Sequence, residues 1–333
     1  MSKQYDSIDL FKCIFSLFVV AIHTNLLSGS LHPLIRLAVP GFFVFSSFFF
    51  FSGKSYGKKK ILKMVKRNIK LYMSWFVLLL PVTLLIRQYF SRGILFGIIT
   101  LVKDFIFGST YLASWYIVAL TIALIMVNYI IKRIPKILSI VLVSLIYLVC
   151  LATSTYSFLM DYALFDLSKI TSIFYPATSF LIGIVWASLT MWLIDCKWFE
   201  VKDKFLFLKI IVSVVMLFCE HMLINTMTSN GVDFSSNDCY VFLLPACFYI
   251  AKGIINWELH LSNAKELRNI STVIYCLHFS VAVCIRKIIT PTFGNINIFM
   301  LSIIICLLFY VICNRVRVKC NNHILKSFIG CLW

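Results

Sequence analysis

Long apolar runs repeat along almost the whole of this 333-residue chain and limit what it can fold into. A helix needs about 20 apolar residues to cross the hydrocarbon of a bilayer. Hydrophobic residues make up 61% of the chain and charged residues 13%, which excludes an ordinary soluble domain. The pattern predicts an all-α bundle that crosses a membrane about ten times. The predicted spans are 9–27, 34–53, 70–90, 113–131, 137–153, 172–194, 206–224, 238–255, 271–289 and 294–313.

The placement of Lys and Arg predicts how these spans are oriented. If the N-terminus is cytoplasmic, 24 of the 31 basic residues fall on the cytoplasmic side of a ten-span chain, as the positive-inside rule requires. Both termini are then cytoplasmic. The shorter stretch 93–108 carries Lys103 and Asp104, so it is predicted to be a re-entrant or interfacial helix. We expect residues 1–333 to form a single membrane domain.

The formal net charge of +18 would suggest a nucleic-acid partner in a soluble protein. Here the basic residues lie between apolar runs, so membrane topology explains them, and the expected partners are membrane lipids and not nucleic acid. The twelve cysteines are scattered, form no CxxC pair and make no plausible zinc set with the six histidines. No metal is expected.

The first run, KCIFSLFVVAIHT, places Lys12 and His23 eleven residues apart. Eleven residues bring a helix round to within about 20° of the same face, about 16 Å further along its axis. Ionisable groups at membrane depth normally face a protein interior or a wet cavity. The spacing therefore predicts a channel lined by one face of the first helix. In the alternative interpretation, Lys12 is a snorkelling anchor and His23 is a core histidine bonded to a backbone carbonyl.

Four further ionisable residues lie in other predicted spans. Arg36 begins the second span, and it is either a substrate ligand or an anchor of the helix end. Glu220 and His221 lie near the outer end of the seventh span, as a site or as a solvated pair beside the polar loop 225–237. His278 lies deeper, in the ninth span.

Four segments in order resemble acyltransferase family 3, the integral-membrane acyltransferases. They are IDLFKCIFSLFVVAIHT, RLAVPGFFVFSSFFFFSG, SWYIVAL and STVIYCLHFSV, and the similarity covers about residues 6 to 290. The family signature in the first helix is an Arg, ten residues and a His. Here Lys12 replaces the Arg, which keeps the charge but loses the bidentate fork. The details are similar to short sugar O-acetyltransferases and to the membrane half of serine racemases.

The resemblance implies a membrane O-acetyltransferase in the bacterial cytoplasmic (inner) membrane. Such an enzyme moves an acetyl group from cytoplasmic acetyl-CoA to a hydroxyl of a surface polysaccharide or lipid-linked sugar, such as O-antigen. It implies that His23 is the catalytic residue. Because imidazole titrates near neutrality, His23 would act as a general base, or else carry the acyl group. Ser114 and Tyr275 are among the candidate donors to the developing oxyanion.

Contacts to the two substrates are also implied by the resemblance. The acyl donor is expected to contact Lys12, Arg67, Lys70, Trp115, Tyr116 and His278, and the acceptor Arg36, Glu220 and His221. The basic stretch 54–70 also has a simpler interpretation, since it enforces positive-inside topology. The alternative function is a transporter or exporter of a small polar substrate or glycan without acyl transfer. The acceptor residues would then be substrate ligands.

Overall fold

The computed structural model describes residues 5–27, 29, 31–53, 58–108, 114–162, 175–228, 238–288 and 294–333, which form helices joined by turns without any β-strand. Short 3₁₀ turns lie at Tyr89–Arg92, Ser157–Tyr162 and Pro176–Thr178, and a π-helical turn at Val127–Ile131 extends α6. In chain order the α-helices are α1 (Asp6–Thr24), α2 (His32–Ile35), α3 (Ala38–Phe51), α4 (Lys58–Arg87), α5 (Ile94–Phe107), α6 (Trp115–Met126), α7 (Lys136–Ala152), α8 (Phe180–Asp195), α9 (Leu206–Met227), α10 (Leu243–Asn256), α11 (Ala264–Ile288), α12 (Asn295–Lys319) and α13 (His323–Gly330).

Each of the ten predicted runs contains an apolar helix, and these helices fall into two length classes. Four are only 10–17 residues long: Trp115–Ile131, Lys136–Ala152, Phe180–Asp195 and Leu243–Asn256. The other six are long and apolar enough to cross a membrane: Asp6–Thr24, His32–Phe51, Lys58–Leu85, Leu206–Met227, Ala264–Ile288 and Asn295–Lys319. The all-helical fold is thus confirmed for the described residues, and length and composition qualify six of the ten helices as candidate membrane spans.

Helix α4 begins well before the predicted start at residue 70. It runs from Lys58 to Arg87, so the described part of the basic stretch is helix and not loop. Lys and Arg are good helix formers. The stretch also buries Ile61, Met64 and Asn68, a spacing of three and four residues that places all three on one helix face. The basic side chains therefore project from the outside of an amphipathic helix.

Helix α5 occupies the stretch predicted to be re-entrant or interfacial. Gly93 and Gly108 bound it with φ angles of 105° and 73°, a left-handed region where glycine avoids the steric cost of a side chain. Its 14 residues equal the length of α10, so length alone does not set it apart from the shorter predicted spans, and Ile94 and Leu95 are each 73% exposed. The helical form is confirmed, and its depth in the membrane stays a prediction.

The chain divides into two compact units, of which the first comprises Met1–Ile8, Leu27–Tyr56 and Ala119–His260. Within it α3 packs on α8, α8 packs on α7, and α10 packs on α3 and α9. Gly183 of α8 allows this helix to pack closely against Phe43 of α3 and Ala123 of α6. A Cβ there would lie 2.9 Å from a ring carbon of Phe43 and 3.0 Å from the Cβ of Ala123. Small residues at helix contacts are typical of membrane bundles.

The second unit comprises Asp9–Leu26, Gly57–Val118 and Leu261–Trp333. In it α11 packs on α12 and α4, and α12 packs on α13, a short helix that was not predicted from the sequence. Trp75 of α4 is fully buried, and its Nε1 donates a hydrogen bond to the Leu332 carbonyl at 3.0 Å. The residues that follow α13 are therefore part of the core of this unit.

Contacts between α1 and α11 bring the first predicted motif against the ninth predicted span. Asp9 pairs with Arg268, and the Lys12 carbonyl accepts a hydrogen bond from Ser271 at 2.9 Å. Further along, the ring of His23 contacts the rings of His278 and Phe279. Because residue numbers rise together on the two helices, α1 and α11 run parallel.

Candidate active site

Two imidazoles meet in the second unit, one from α1 and one from α11. The ring centroids of His23 and His278 are 5.2 Å apart, and the ring planes are tilted by 37°. His278 is fully buried, whereas His23 is partly exposed. The ring centroids of His23 and Phe279 are 5.1 Å apart, and the two ring planes are 82° apart. The pair therefore has one fully buried imidazole and one that is partly exposed.

The hydrogen bonds of His278 determine its tautomer. Its Nδ1 lies 2.9 Å from the carbonyl oxygens of both Ile274 and Tyr275. Carbonyl oxygens only accept, so Nδ1 must carry the hydrogen. In the neutral ring Nε2 is then a lone-pair acceptor. This atom is buried and has no hydrogen-bond partner among the residues that the structure describes.

Aromatic side chains continue from His278 towards the start of α6. Tyr275 lies 6.4 Å from His278 and 5.6 Å from Tyr116 between ring centroids, and the Tyr116 backbone hydrogen-bonds the Tyr275 hydroxyl. Trp115 is partly buried beside them in sequence. The Ser114 hydroxyl donates to the carbonyl of Gly108, the C-cap residue of α5. Of the predicted oxyanion donors, Ser114 thus has a structural partner already.

Basic groups gather near the first turns of α1 and α11. Arg268 donates to both oxygens of buried Asp9, from Nε at 2.9 Å and from Nη2 at 2.5 Å. Arg67 and Lys70 project from the exposed side of α4, and the charges of Arg67 and Arg268 reach Lys12. The carboxylate of Asp9 balances part of this positive charge. Local spacing in the sequence gives no hint of Arg268, because its role depends on a partner 259 residues away.

The first unit holds a separate ionisable network around Arg36. Arg36 donates from Nη1 to Asp238 and from Nε to His32 Nε2, the latter at 3.1 Å. The ring of His32 stacks on that of His221, with centroids 5.8 Å apart and planes 25° apart. Burial raises the pKa of Asp238, and the charge of Arg36 opposes that shift. Arg36 is therefore largely neutralised by a carboxylate of its own chain.

Glu220 is engaged by three donors within the same unit. The backbone N–H groups of Val241 and Phe242 donate to its two oxygens at 2.6 and 2.8 Å, and the Tyr156 hydroxyl donates at 2.5 Å. Burial and this last bond raise the pKa of Tyr156, so the phenol keeps its proton. Phe242 is the N-cap residue of α10, where a carboxylate also opposes the positive end of the helix dipole. The contacts give Glu220 the role of fixing the chain before α10.

His221 lies next to Glu220 and faces the same short segment. Its Nδ1 is 3.0 Å from the Tyr240 hydroxyl, and its Nε2 is 3.2 Å from Nδ2 of Asn225. The Tyr240 carbonyl in turn accepts from Tyr147 at 2.5 Å. Glu220 and Tyr147 thus hold the backbone whose side chains contact His221 and Arg36.

Comparison with known proteins gives the family of this chain. A family described as an acyltransferase domain, Acyl_transf_3, matches residues 5–315. The chain belongs to acyltransferase family 3. The match covers both units, and it confirms the resemblance drawn from the four segments.

Two curated relatives of this acyltransferase family 3 member are proteins of Enterococcus faecalis described as amino-acid racemases. One is 24% identical over 323 residues, which are 92% of this chain and 45% of the relative. The other is 27% identical over 163 residues, which are 46% of this chain and 22% of the relative. The chain therefore spans less than half the length of the curated relatives it matches. No solved structure matches it.

The predicted site residues of this family member fall into two groups, one in each of the two units. The catalytic residue and the predicted donor contacts all lie in the second: Lys12, His23, Arg67, Lys70, Trp115, Tyr116 and His278. The predicted acceptor contacts Arg36, Glu220 and His221 all lie in the first. The roles themselves stay predictions. Among the described residues no group of three or more His, Cys, Asp or Glu could hold a metal ion.

Among the residues of these networks that were not singled out from the sequence are His32, Asp238 and Arg268. His32 and Asp238 join Arg36, and Arg268 joins Asp9. One local pattern does point to His32. It precedes Pro33 at the start of a helix, and Arg36, four residues further on, lies on the same helix face. Asp238 and Arg268 offer no comparable local pattern, because their partners are far away in sequence.

Proposed function

We propose that the chain is a membrane O-acetyltransferase, which moves an acetyl group from acetyl-CoA to a hydroxyl of a surface polysaccharide or lipid-linked sugar. Family membership supports acyl transfer in general. The observation that carries the finer proposal is the pair of imidazoles, with His23 and His278 5.2 Å apart on parallel helices. Imidazole is the side chain whose ordinary pKa lies close to neutral pH, so a histidine can take up and release a proton there.

The donor end of the proposed site is the basic surface near the start of α1. Lys12, Arg67 and Arg268 place positive charge there, and Lys70 follows on α4. Acetyl-CoA carries several phosphates, which Arg and Lys recognise through charge-assisted hydrogen bonds. The thioester arm would then follow α1 towards His23, past Trp115 and Tyr116.

The chemistry at His23 follows from the weakness of a sugar hydroxyl as a nucleophile. The hydroxyl attacks a thioester carbonyl only if its proton is taken up in the transition state. In the proposal His23 contacts the reacting groups, as a base or as the carrier of the acyl group. Within the first unit, the contacts of Arg36 and Glu220 mainly keep their own region in place, which leaves His221 as the predicted acceptor contact of that unit.

We place the protein in the bacterial cytoplasmic membrane with ten spans and both termini in the cytoplasm. Two observations support this topology. The distribution of Lys and Arg follows the positive-inside rule. The parallel direction of α1 and α11 also fits a first and a ninth span that cross in the same sense.

The test is to measure ester-linked acetate on the surface polysaccharide of cells that express the protein. We expect His23→Ala to lower it by about 10²- to 10⁴-fold, the usual contribution of acid–base catalysis. His260→Ala is the matched control, because His260 is exposed and lies outside both networks. Both variants must reach the membrane in wild-type amounts. Full acetylation by His23→Ala would refute the role of His23.

The competing function is a transporter without acyl transfer. Binding of acetyl-CoA to the purified protein distinguishes the two, since transport does not need that ligand. We expect binding by wild type and weaker binding by Lys12→Ala. Purified protein that does not bind acetyl-CoA, together with unchanged polysaccharide acetate on expression, would favour transport.

A further inference from the structure

His278 has a buried acceptor atom for which the described part of the chain supplies no donor. Its Nδ1–H donates to the carbonyls of Ile274 and Tyr275, one turn back on the same helix. These bonds lock both the tautomer and the direction of the ring. Nε2 is left as a lone pair inside a side chain that is fully buried.

A purely structural histidine does not explain this arrangement well. A buried polar atom without a partner costs folding free energy, and an apolar side chain at position 278 would avoid that cost. Buried polar atoms that stay unsatisfied are expected to bind water, an ion or a reacting group. The neighbouring ring is His23, the partly exposed imidazole of the proposed site. A molecule in contact with His23 therefore lies close to His278, since the two ring centroids are 5.2 Å apart.

We propose that Nε2 of His278 takes the proton from the acceptor hydroxyl during acyl transfer. The inference rests on the proposed function, and it gives the sequence-predicted donor contact His278 a different role. The lone pair is already directed by the helix carbonyls, so no tautomer change is needed before reaction. A base that is pre-oriented in this way acts without reorganisation.

The step is balanced without any further reactant. As the acceptor oxygen forms its bond to the acyl carbon, the hydroxyl proton moves to Nε2 of His278. The carbon–sulfur bond of the thioester breaks, and the sulfur leaves as a thiolate. The proton on Nε2 then passes to that sulfur, which gives an ester, free coenzyme A and neutral His278. In this step the general base is His278 and not His23, and His23, the neighbouring imidazole, contacts the thioester and orients it.

The sharpest variant is His278→Asn. Its amide nitrogen can still donate to the helix carbonyls in place of Nδ1, but the variant has no atom at the position of Nε2. His278→Gln is the complementary variant, since its longer amide reaches towards the Nε2 position without being a base. His260→Ala again serves as the control for expression and handling. Ester-linked acetate on the surface polysaccharide and acetyl-CoA affinity of the purified full chain are measured for each.

We expect His278→Asn to fold, to bind acetyl-CoA within about threefold of wild type, and to lose acetate by about 10²- to 10⁴-fold. Loss of kcat with an unchanged KM for acetyl-CoA marks removal of an interaction specific to the transition state. If His278→Asn folds and the ester-linked acetate on the polysaccharide stays near the wild-type level, the inference is overturned and the proposed function is left intact. If His278→Asn does not fold, the same two outcomes are read from His278→Gln. Absence of acetate in wild type would refute the proposed function, and the inference with it.

Discussion

The buried ion pair between Arg36 and Asp238 should make a large contribution to the stability of the first unit. The two side chains are only 8% and 17% exposed, so water screens the pair weakly. Arg36→Met leaves Asp238 without its cation, which for a buried pair costs about 3–5 kcal/mol. The loss of the bond from Arg36 to His32 adds about 1 kcal/mol. We therefore expect a fall of about 4–6 kcal/mol in the free energy of unfolding.

The assay is reversible unfolding of purified protein in micelles, with Arg36→Met, Asp238→Asn and the double variant compared. The double variant should lose clearly less than the sum of the two single losses, because neither partner is then left alone. Arg36 opposes the effect of burial, so without it the pKa of Asp238 should rise further. The deficit of Arg36→Met should consequently be smallest at low pH and grow as the pH rises through that pKa. A deficit below about 1 kcal/mol, or single losses that simply add, would refute a buried ion pair.

Three further substitutions test the packing by the same unfolding assay. Trp75→Ala removes a fully buried ring and its bond to Leu332, so it should cost about 3–5 kcal/mol, and wild-type stability would contradict the burial. Gly183→Ala places a methyl group inside contact distance of Phe43, and should cost about 1–3 kcal/mol, whereas a gain would show spare room. Asp9→Asn should cost only about 1 kcal/mol because Arg268 is 55% exposed, and the deficit should shrink at high salt, which an effect independent of charge would not do.

Local patterns in the sequence were enough to find the helices. Apolar runs of the right length mark the ten helices in chain order, because burial in lipid demands such runs. Lys12 meets α11 through its backbone carbonyl and His23 meets it through its ring, so the channel face that the two side chains were predicted to share stays a prediction. Helical periodicity is a property of a few neighbouring turns, and a single sequence displays it fully.

The partners of the ionisable residues could not be found in the same way. Arg36 pairs with Asp238 across 202 positions, and no spacing rule connects residues so far apart. If only the sequence is known, Asp238 is not recognised as its partner, and Arg36 is then interpreted as a cation available to an anionic acceptor. Glu220 was similarly open to interpretation as an acceptor ligand, yet its oxygens accept from the backbone ahead of α10. Long-range pairing decides whether a buried charge is free for function, and the sequence alone does not show it.

The parallel course of α1 and α11 also limits how many of the shorter helices can cross the membrane. Two spans that run in the same direction must be separated by an odd number of crossings. Seven apolar helices other than α5 lie between them in the described chain, of which the three long ones are His32–Phe51, Lys58–Leu85 and Leu206–Met227. If the three long helices cross and α5 does not, the four shorter helices therefore cross as an even number. If all four cross, α5 cannot, because an eighth crossing would reverse α11. In a chain of ten spans, the direction of this helix pair thus requires that α5 does not cross, whatever its length.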